Sequence, residues 1–321
     1  MSNRLKPAVG QHFFRAVQFT SDIKVRRQST LVKATAAAGA PLALGLAFLV
    51  AALPVAFAAP AYDVQAAAAV VMDASTGQTL WAKNPDAPLS AASTSKLMTA
   101  LLALEQGDLK ARILIQQRHL RPGSTMGLQP GDDVDLETLL WGLMLPSGND
   151  AAVAIAELVA GSEEAFVARM NARAAALGLS GSVFTNPHGL DHRQFAPGNI
   201  MTARDLAILA RELLRYPLIR QIAATPEKTV VVNGRPLVLR TTNRLVRDGF
   251  PGVDGLKNGW TRRAGHCYVA TTTVNGRTLI AVVLNAATYL EAWNLLRLGL
   301  DLLPPEPPPV SVAAALGLPL L

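Results

Sequence analysis

Two residue types that together can perform nucleophilic chemistry, Ser93 and Lys96, lie three positions apart. The residues that follow predict a helix, and residues three apart lie on one side of a helix, so the hydroxyl and the amine are expected to meet. A serine becomes a good nucleophile when a neighbouring base takes its proton, and a lysine can be that base if burial or a second cation lowers its pKa. Taken alone, the pair is better explained by a helix cap followed by a solvated lysine.

Two further polar motifs follow this pair along the chain. Ser147 and Asn149 form an S-x-N triplet before another predicted helix, where helix capping is the competing explanation. Lys257 is followed two residues later by Gly259, at the entrance to a region of predicted strands. A small residue on an edge strand lets a peptide pair along that strand, while the lysine supplies positive charge. The three motifs in this order indicate an active site with Ser93 as the nucleophile.

The spacing of apolar and turn residues predicts the elements that hold these motifs. A strand, a turn and a strand are expected over residues 66–81, and a helix over residues 94–106. Residues 136–214 are expected to be mainly helical, two Asn-Gly pairs predict antiparallel hairpins after them, and a last amphipathic helix is expected over residues 289–303. This order predicts an α+β fold, an α/β/α sandwich in which helices cover one antiparallel sheet beside an all-helical subregion.

The positive charge of the protein is concentrated near its N-terminus. Residues 1–33 contain seven Lys and Arg residues against one acidic residue, Asp22, so most of the net charge of +7 lies there. A nucleic-acid-binding protein is expected to keep its positive charge on the folded domain, where it can contact phosphates. The distribution therefore argues against a nucleic-acid partner.

An uncharged apolar run over residues 34–62 follows the basic stretch and includes the small-residue site Ala56-Phe57-Ala58. This order is typical of a secretory signal peptide, and we expect cleavage after Ala58 or Ala59. The alternative is that residues 1–59 stay in place as an N-terminal anchor in the inner membrane. Both interpretations predict an exported protein that works in the periplasm or elsewhere outside the cytoplasm.

Neither the cysteine nor the histidines of the chain predict a catalytic or metal centre. Cys267 is the only cysteine, which excludes an intramolecular disulfide, and its apolar strand-like surroundings predict a buried position. His188 and His192 have no carboxylate cluster nearby to complete a metal site. We therefore predict no metal and no other cofactor, and a structural role for His188 in a loop turned by Pro187 and Gly189.

The three motifs together resemble the S-x-x-K, S-x-N and K-T-G set of penicillin-binding proteins and serine β-lactamases. Among these, the sequence is similar to the low-molecular-weight penicillin-binding proteins, the serine-type D-alanyl-D-alanine carboxypeptidases, over residues 66–303. The resemblance is carried by Val71-Met72-Asp73 with Thr76-Gly77, by Lys96-Leu97-Met98-Thr99, by Ser147-Gly148-Asn149-Asp150-Ala151, by Asn186-Pro187-His188-Gly189-Leu190-Asp191 and by Gly252-Val253-Asp254-Gly255-Leu256-Lys257.

This resemblance implies a reaction on peptidoglycan stem peptides. Ser93 would attack the carbonyl between two D-alanines with Lys96 as its base, the terminal D-alanine would leave, and water would hydrolyse the acyl-enzyme. The resemblance also implies that Ser147 passes protons to the leaving amine, that Asn149 binds the substrate backbone and that Lys257 steadies the substrate carboxylate. β-Lactam antibiotics are implied as covalent inhibitors, and the same chemistry permits D,D-endopeptidase activity.

The remaining substrate contacts implied by the resemblance lie along the third motif. They are Asn258, Gly259, Trp260 and Thr261, and the backbone N–H groups of Ser93 and Trp260 are expected to form the oxyanion hole. With this function, the chain is predicted to contain a leader (residues 1–59), one carboxypeptidase domain (residues 60–303) and a Pro-rich apolar tail (residues 304–321).

Two departures from the family pattern leave alternatives open. Asn258 stands where threonine is usual, and residues 284–290 contain no arginine that could hold the substrate carboxylate, which leaves Arg262 or Arg263 to replace it. One alternative is a catalytically weakened member of the family that binds peptidoglycan without turnover. The other is a serine β-lactamase, which needs a dedicated deacylating glutamate that the sequence does not identify.

Overall fold

One antiparallel sheet of five strands lies at the centre of the fold. The computed structural model describes residues 64–191 and 198–303. The strands of the central sheet are β1 (Ala68–Asp73), β2 (Thr79–Lys83), β9 (Val253–Thr261), β10 (Gly265–Val274) and β11 (Arg277–Ala286). Their spatial order is β2-β1-β11-β10-β9, so the first and last strands of the chain pair, as predicted, and β9 lies at an edge.

The other elements surround this sheet. The described residues form the helices α1 (Lys96–Gln106), α2 (Leu136–Met144), α3 (Asn149–Ala160), α4 (Glu163–Ala176), α5 (Ala203–Leu213), α6 (Pro217–Ala223), α7 (Arg244–Arg247) and α8 (Leu290–Leu302). Short two-stranded sheets pair β3 (Leu89–Ser90) with β6 (Ile200–Met201), β4 (Arg112–Leu114) with β5 (Asp133–Asp135), and β7 (Glu227–Val232) with β8 (Arg235–Arg240). The run from α2 to α5 is mainly helical, as predicted for residues 136–214, and its described residues also include β6.

The central sheet is covered on both faces, because its strands are apolar on both faces. In β1, Val70 and Met72 belong to the core that contains α1, α2 and α5, whereas Ala69 and Val71 belong to a second core under α8. Successive side chains of a strand point to opposite faces, so an unbroken apolar strand needs a layer of helices on each side. The predicted α/β/α arrangement is confirmed.

Local signals in the sequence set the boundaries of several elements. The side chain of Ser162 accepts a hydrogen bond from the Ala165 N–H at the start of α4, and Thr202 caps α5 in the same way. Both predicted Asn-Gly hairpins are present, with Asn233 at φ 48° and Asn275 at φ 50°. Positive φ values at these turns match the right-handed twist of the paired strands.

Three predictions concern residues that lie outside the described ones. These are the leader over residues 1–59, the alternatives that it is cleaved or retained as an anchor, and the tail over residues 304–321. Within residues 64–191 and 198–303, the helices are too short or too polar to cross a membrane.

Gly299 allows α8 to pack closely on the sheet. A methyl group at this position would lie 2.6 Å from Val71 Cγ1 and 3.1 Å from Leu279 Cδ1. We predict that Gly299→Ala lowers the free energy of unfolding by about 1–3 kcal/mol, because overpacking outweighs the better helix propensity of alanine. Chemical denaturation of the purified protein measures this loss. The same substitution should be nearly neutral in a Val71→Ala background, and an equal loss in both backgrounds would contradict the packing explanation.

Candidate active site

Ser93 and Lys96 meet where a short 3-10 turn, Ala92–Ser95, leads into α1. The sequence predicted an α-helix from residue 94, and the observed first turn is tighter. In a 3-10 turn, residues three apart lie one above the other, which places the lysine directly over the serine. The distance from Lys96 Nζ to Ser93 Oγ is 2.9 Å.

The amine of Lys96 is buried and surrounded by oxygen atoms. Its side chain is 0% exposed, and Nζ lies 2.8 Å from Asn149 Oδ1 and 2.6 Å from the His188 carbonyl oxygen. Burial lowers the pKa of Lys96 well below its usual value, and the charge of Lys257 lowers it further, whereas Asp150 acts in the opposite direction. Two effects of the same sign therefore favour the neutral amine.

The three neighbours of the Lys96 amine determine what its lone pair can do. A neutral amine has two N–H groups and one lone pair. The amide oxygen of Asn149 and the carbonyl of His188 can only accept hydrogen bonds, so each takes one N–H. The lone pair is left facing the hydroxyl of Ser93, which is the arrangement that a general base requires.

A second buried lysine contacts the serine of the S-x-N motif. Lys257 on β9 is 1% exposed, and its Nζ donates to Ser147 Oγ and to the Asn258 carbonyl, each over 2.9 Å. Burial lowers the pKa of Lys257 to about 7. Ser147 lies in the loop between α2 and α3 with φ 64°, a left-handed conformation that is uncommon for a residue with a side chain.

The residues after Ser147 attach α3 to the loop before β5. Asn149 Nδ2 donates to the Pro122 carbonyl over 2.7 Å, while its amide oxygen faces Lys96. The buried carboxylate of Asp150 accepts the backbone N–H groups of Met126 (3.0 Å) and Leu128 (3.2 Å). Asp150 is not among the site residues predicted from the sequence. Its place directly after the S-x-N motif was the available signal.

The loop over residues 186–190 supplies backbone to the site. Asn186 Oδ1 accepts the N–H groups of His188 (3.2 Å) and Gly189 (2.6 Å), which turns the His188 carbonyl toward Lys96. Gly189 is at φ 81°, and a Cβ there would lie 2.1 Å from the Ala92 carbonyl oxygen, so the loop packs directly on the turn that carries Ser93.

The His188 ring has the structural position that the sequence predicted. It is buried, and its Nδ1 accepts the Leu190 N–H over 3.2 Å. Burial, Lys96 and Arg121 lower the pKa of His188 to about 3, which keeps the ring neutral. Its contribution to the site is therefore its carbonyl group.

The strand of the third motif runs directly past the nucleophile. A Cβ at Gly259 would lie 2.6 Å from the backbone nitrogen of Ser93, so only glycine leaves this N–H uncovered. The side chain of Asn258 points elsewhere and is bonded to Thr242. Trp260 is 62% exposed, and the Thr261 hydroxyl donates to Asp191 Oδ2 over 2.6 Å.

The two arginines considered for carboxylate binding lie beyond this strand. Arg262 and Arg263 line an open cavity together with Trp260, Thr261, Leu190 and Asp191.

The remaining candidates for chemistry are explained by burial. Cys267 is fully buried, as predicted, and burial raises the pKa of its thiol to about 11. Within the described part of the chain, His, Cys, Asp and Glu side chains form no group of three that could hold a metal ion.

The chain is similar in sequence and in fold to known proteins. The peptidase S11 family model, described as D-alanyl-D-alanine carboxypeptidase, matches residues 55–288. The D-alanyl-D-alanine carboxypeptidase DacF of Bacillus subtilis is 39% identical over 234 residues, which cover 71% of this chain and 59% of that protein. The D-alanyl-D-alanine carboxypeptidase DacC of Escherichia coli is 38% identical over 269 residues, which cover 79% of this chain and 66% of that protein. The chain thus spans about three fifths to two thirds of the lengths of these two relatives.

A D-alanyl-D-alanine endopeptidase of Pseudomonas aeruginosa is 34% identical over 245 residues, which cover 72% of this chain and 77% of that protein. Among solved structures, a penicillin-binding protein homologue from Mycobacterium tuberculosis superposes with a TM-score of 0.71 at 30% identity, covering 76% of this chain and 94% of that one. The Streptomyces K15 DD-transpeptidase gives a TM-score of 0.69 at 29% identity, covering 74% and 98%.

The buried state of Lys257 predicts a pH-dependent stability. Its pKa is about 7 in the folded protein and near 10.5 when solvated, so between these values the unfolded chain binds more protons and stability rises with pH. We predict that Lys257→Met flattens this rise by about 1 kcal/mol per pH unit between pH 7 and 10. Urea unfolding at several pH values measures the slope, with Lys110→Met at an exposed lysine as the control. An unchanged slope in Lys257→Met would show that this lysine is not desolvated.

Proposed function

Because the chain belongs to the D-alanyl-D-alanine carboxypeptidase family of serine peptidases, we propose that it removes the terminal D-alanine from peptidoglycan stem peptides. One observation carries the proposal: the buried amine of Lys96 lies 2.9 Å from Ser93 Oγ, and its other two contacts are acceptors. Ser93 itself is partly exposed, so a substrate can reach its hydroxyl.

The first step forms the tetrahedral intermediate. Ser93 Oγ attacks the carbonyl carbon of the penultimate D-alanine, and its proton passes to Nζ of Lys96. We assign the oxyanion hole to the backbone N–H groups of Ser93 and Trp260. The absence of a side chain at Gly259, which would cover the Ser93 N–H, supports this assignment.

The second step breaks the peptide bond. The proton held by Lys96 passes through the hydroxyl of Ser147, which Lys257 contacts over 2.9 Å, to the nitrogen of the terminal D-alanine, and D-alanine leaves. The acyl group remains as an ester on Ser93. Water then attacks this ester with Lys96 as the base again, which releases the shortened peptide and restores the free serine.

Substrate recognition is assigned to the strand edge and the S-x-N motif. Asn149 contacts the substrate backbone, and the positive charge of Lys257 faces the substrate carboxylate. The segment 258–261 (Asn258, Gly259, Trp260 and Thr261) offers the main chain of an edge strand along which a stem peptide can pair. Arg262 or Arg263, at the cavity beyond Trp260, is the candidate to replace the missing carboxylate-binding arginine.

The same acylation chemistry has two further consequences. β-Lactam antibiotics should acylate Ser93, because their amide reacts with the same nucleophile. D,D-Endopeptidase activity on cross-linked peptides is a second candidate function, favoured by the similarity to the endopeptidase of Pseudomonas aeruginosa. We place the protein outside the cytoplasm, where peptidoglycan lies, with its predicted leader either cleaved or retained as an N-terminal anchor.

Release of D-alanine from a peptide that ends in D-alanyl-D-alanine tests the proposal. We predict that Ser93→Ala and Lys96→Arg each lower kcat at least about a thousandfold, because the first lacks the nucleophile and the second stays protonated and cannot act as a base. Lys110→Arg, at an exposed lysine, should match the wild type. A wild-type protein that binds the peptide without releasing D-alanine would favour the weakened, peptidoglycan-binding alternative. Normal turnover by Lys96→Arg would remove Lys96 from the role of base.

A further inference from the structure

The side chain of Asn258 is bonded at both ends of its amide to one residue, Thr242, in the segment before α7. Thr242 Oγ1 donates to Asn258 Oδ1 over 3.0 Å, and Asn258 Nδ2 donates to the Thr242 carbonyl over 3.2 Å. Threonine, the usual residue at position 258 of this motif, would offer one oxygen where asparagine offers an oxygen and a nitrogen. The amide therefore attaches β9 to the segment before α7 through two separate atoms, its oxygen and its nitrogen.

Thr242 is attached in turn to the loop that carries the S-x-N serine. Its backbone N–H donates to the Leu145 carbonyl over 2.9 Å, two residues before Ser147. Ser147 needs such support, because its φ of 64° persists only where the surrounding structure holds it.

Lys257 closes these contacts into a ring. Its Nζ donates to Ser147 Oγ and to the carbonyl of Asn258, each over 2.9 Å. The ring therefore runs from Asn258 through Thr242 and Leu145 to Ser147, and back through Lys257. A change at the amide of Asn258 therefore reaches the contact between Ser147 and Lys257 by two routes. One runs through Thr242 and Leu145 to Ser147, and the other runs through the Asn258 carbonyl to Lys257.

We propose that Asn258 is a positioning residue, whose side chain fixes the loop of Ser147 against Lys257 through Thr242 and does not bind the substrate. The asparagine is then a working replacement for the usual threonine. The effect of Asn258 on turnover rests on the proposed function, whereas its effect on the burial of Lys257 does not.

Turnover distinguishes positioning from substrate binding. We expect Asn258→Ala to lower kcat for D-alanine release about ten- to a hundredfold with little change in KM, because the loss falls on the placement of Ser147 and Lys257. Thr242→Val should give a smaller loss, because it removes the hydroxyl that donates to Asn258 but keeps the carbonyl that accepts from it. The double variant should lose no more than Asn258→Ala alone, since that substitution already removes both contacts between the Asn258 side chain and Thr242. Asn258→Thr should lie between the wild type and Asn258→Ala.

The burial of Lys257 can be measured without an activity assay, through the pH dependence of the stability of the protein. If the ring holds this lysine in its buried place, Asn258→Ala and Thr242→Val should admit water to it and reduce the rise of stability between pH 7 and 10. The other charged group coupled to Lys257 is Lys96 on α1, so the same slopes are measured in a Lys96→Met background. Thr229→Val, at an exposed threonine on β7, is the matched control.

The combined experiment separates failure of the proposed function from failure of the positioning role. If the wild type releases no D-alanine, the proposed function is contradicted. The slopes of stability against pH would still decide whether the ring holds Lys257. The positioning role is overturned if Asn258→Ala raises KM alone, if the losses of the two single variants add in the double variant, or if neither variant changes the slope. The positioning role is supported if both variants lower kcat and the slope of stability against pH, and if these losses do not add in the double variant.

Discussion

The burial of a lysine amine among acceptors is the constraint on which the rest of the site depends. A protonated Lys96 would be costly in this place, and a neutral one has its two N–H groups taken by Asn149 and His188. Its lone pair can then face only the hydroxyl of Ser93. Burial among acceptors therefore both favours the neutral lysine and points its lone pair at the hydroxyl of Ser93.

Segments far apart in the chain meet around this amine, which explains the layered fold. The 3-10 turn before α1 presents Ser93, the start of α3 presents Asn149, and the loop over residues 186–190 supplies the His188 carbonyl. Strand β9 closes the remaining side at the sheet edge with Gly259 against the Ser93 N–H. Each contribution is a helix end, a loop or a strand edge, positioned by packed elements behind it.

Much of this arrangement could be predicted from the sequence, because motif spacing and apolar periodicity are local signals. The closeness of Ser93 to Lys96 follows from their spacing, and the pairing of β1 with β11 follows from the order of strands and helices along the chain. The carbonyl of His188 could not be predicted, since every residue has a carbonyl and only tertiary packing directs this one toward Lys96. The partner of Asn258 was hidden for the same reason: its contact with Thr242 joins segments that local pattern does not connect.

The most direct test of the account is the intact mass of the folded protein after exposure to benzylpenicillin, with Ser93→Ala treated in parallel. Opening of the lactam ring leaves every atom of the drug attached, so we predict that the protein gains the mass of one whole penicillin, mapped to Ser93 and absent from the variant. Lys96→Arg should form this adduct much more slowly than the wild type, because its side chain stays protonated and cannot act as a base. A folded protein that gains no mass, or that gains it equally without Ser93, would contradict the assignment of Ser93 and Lys96 as nucleophile and base.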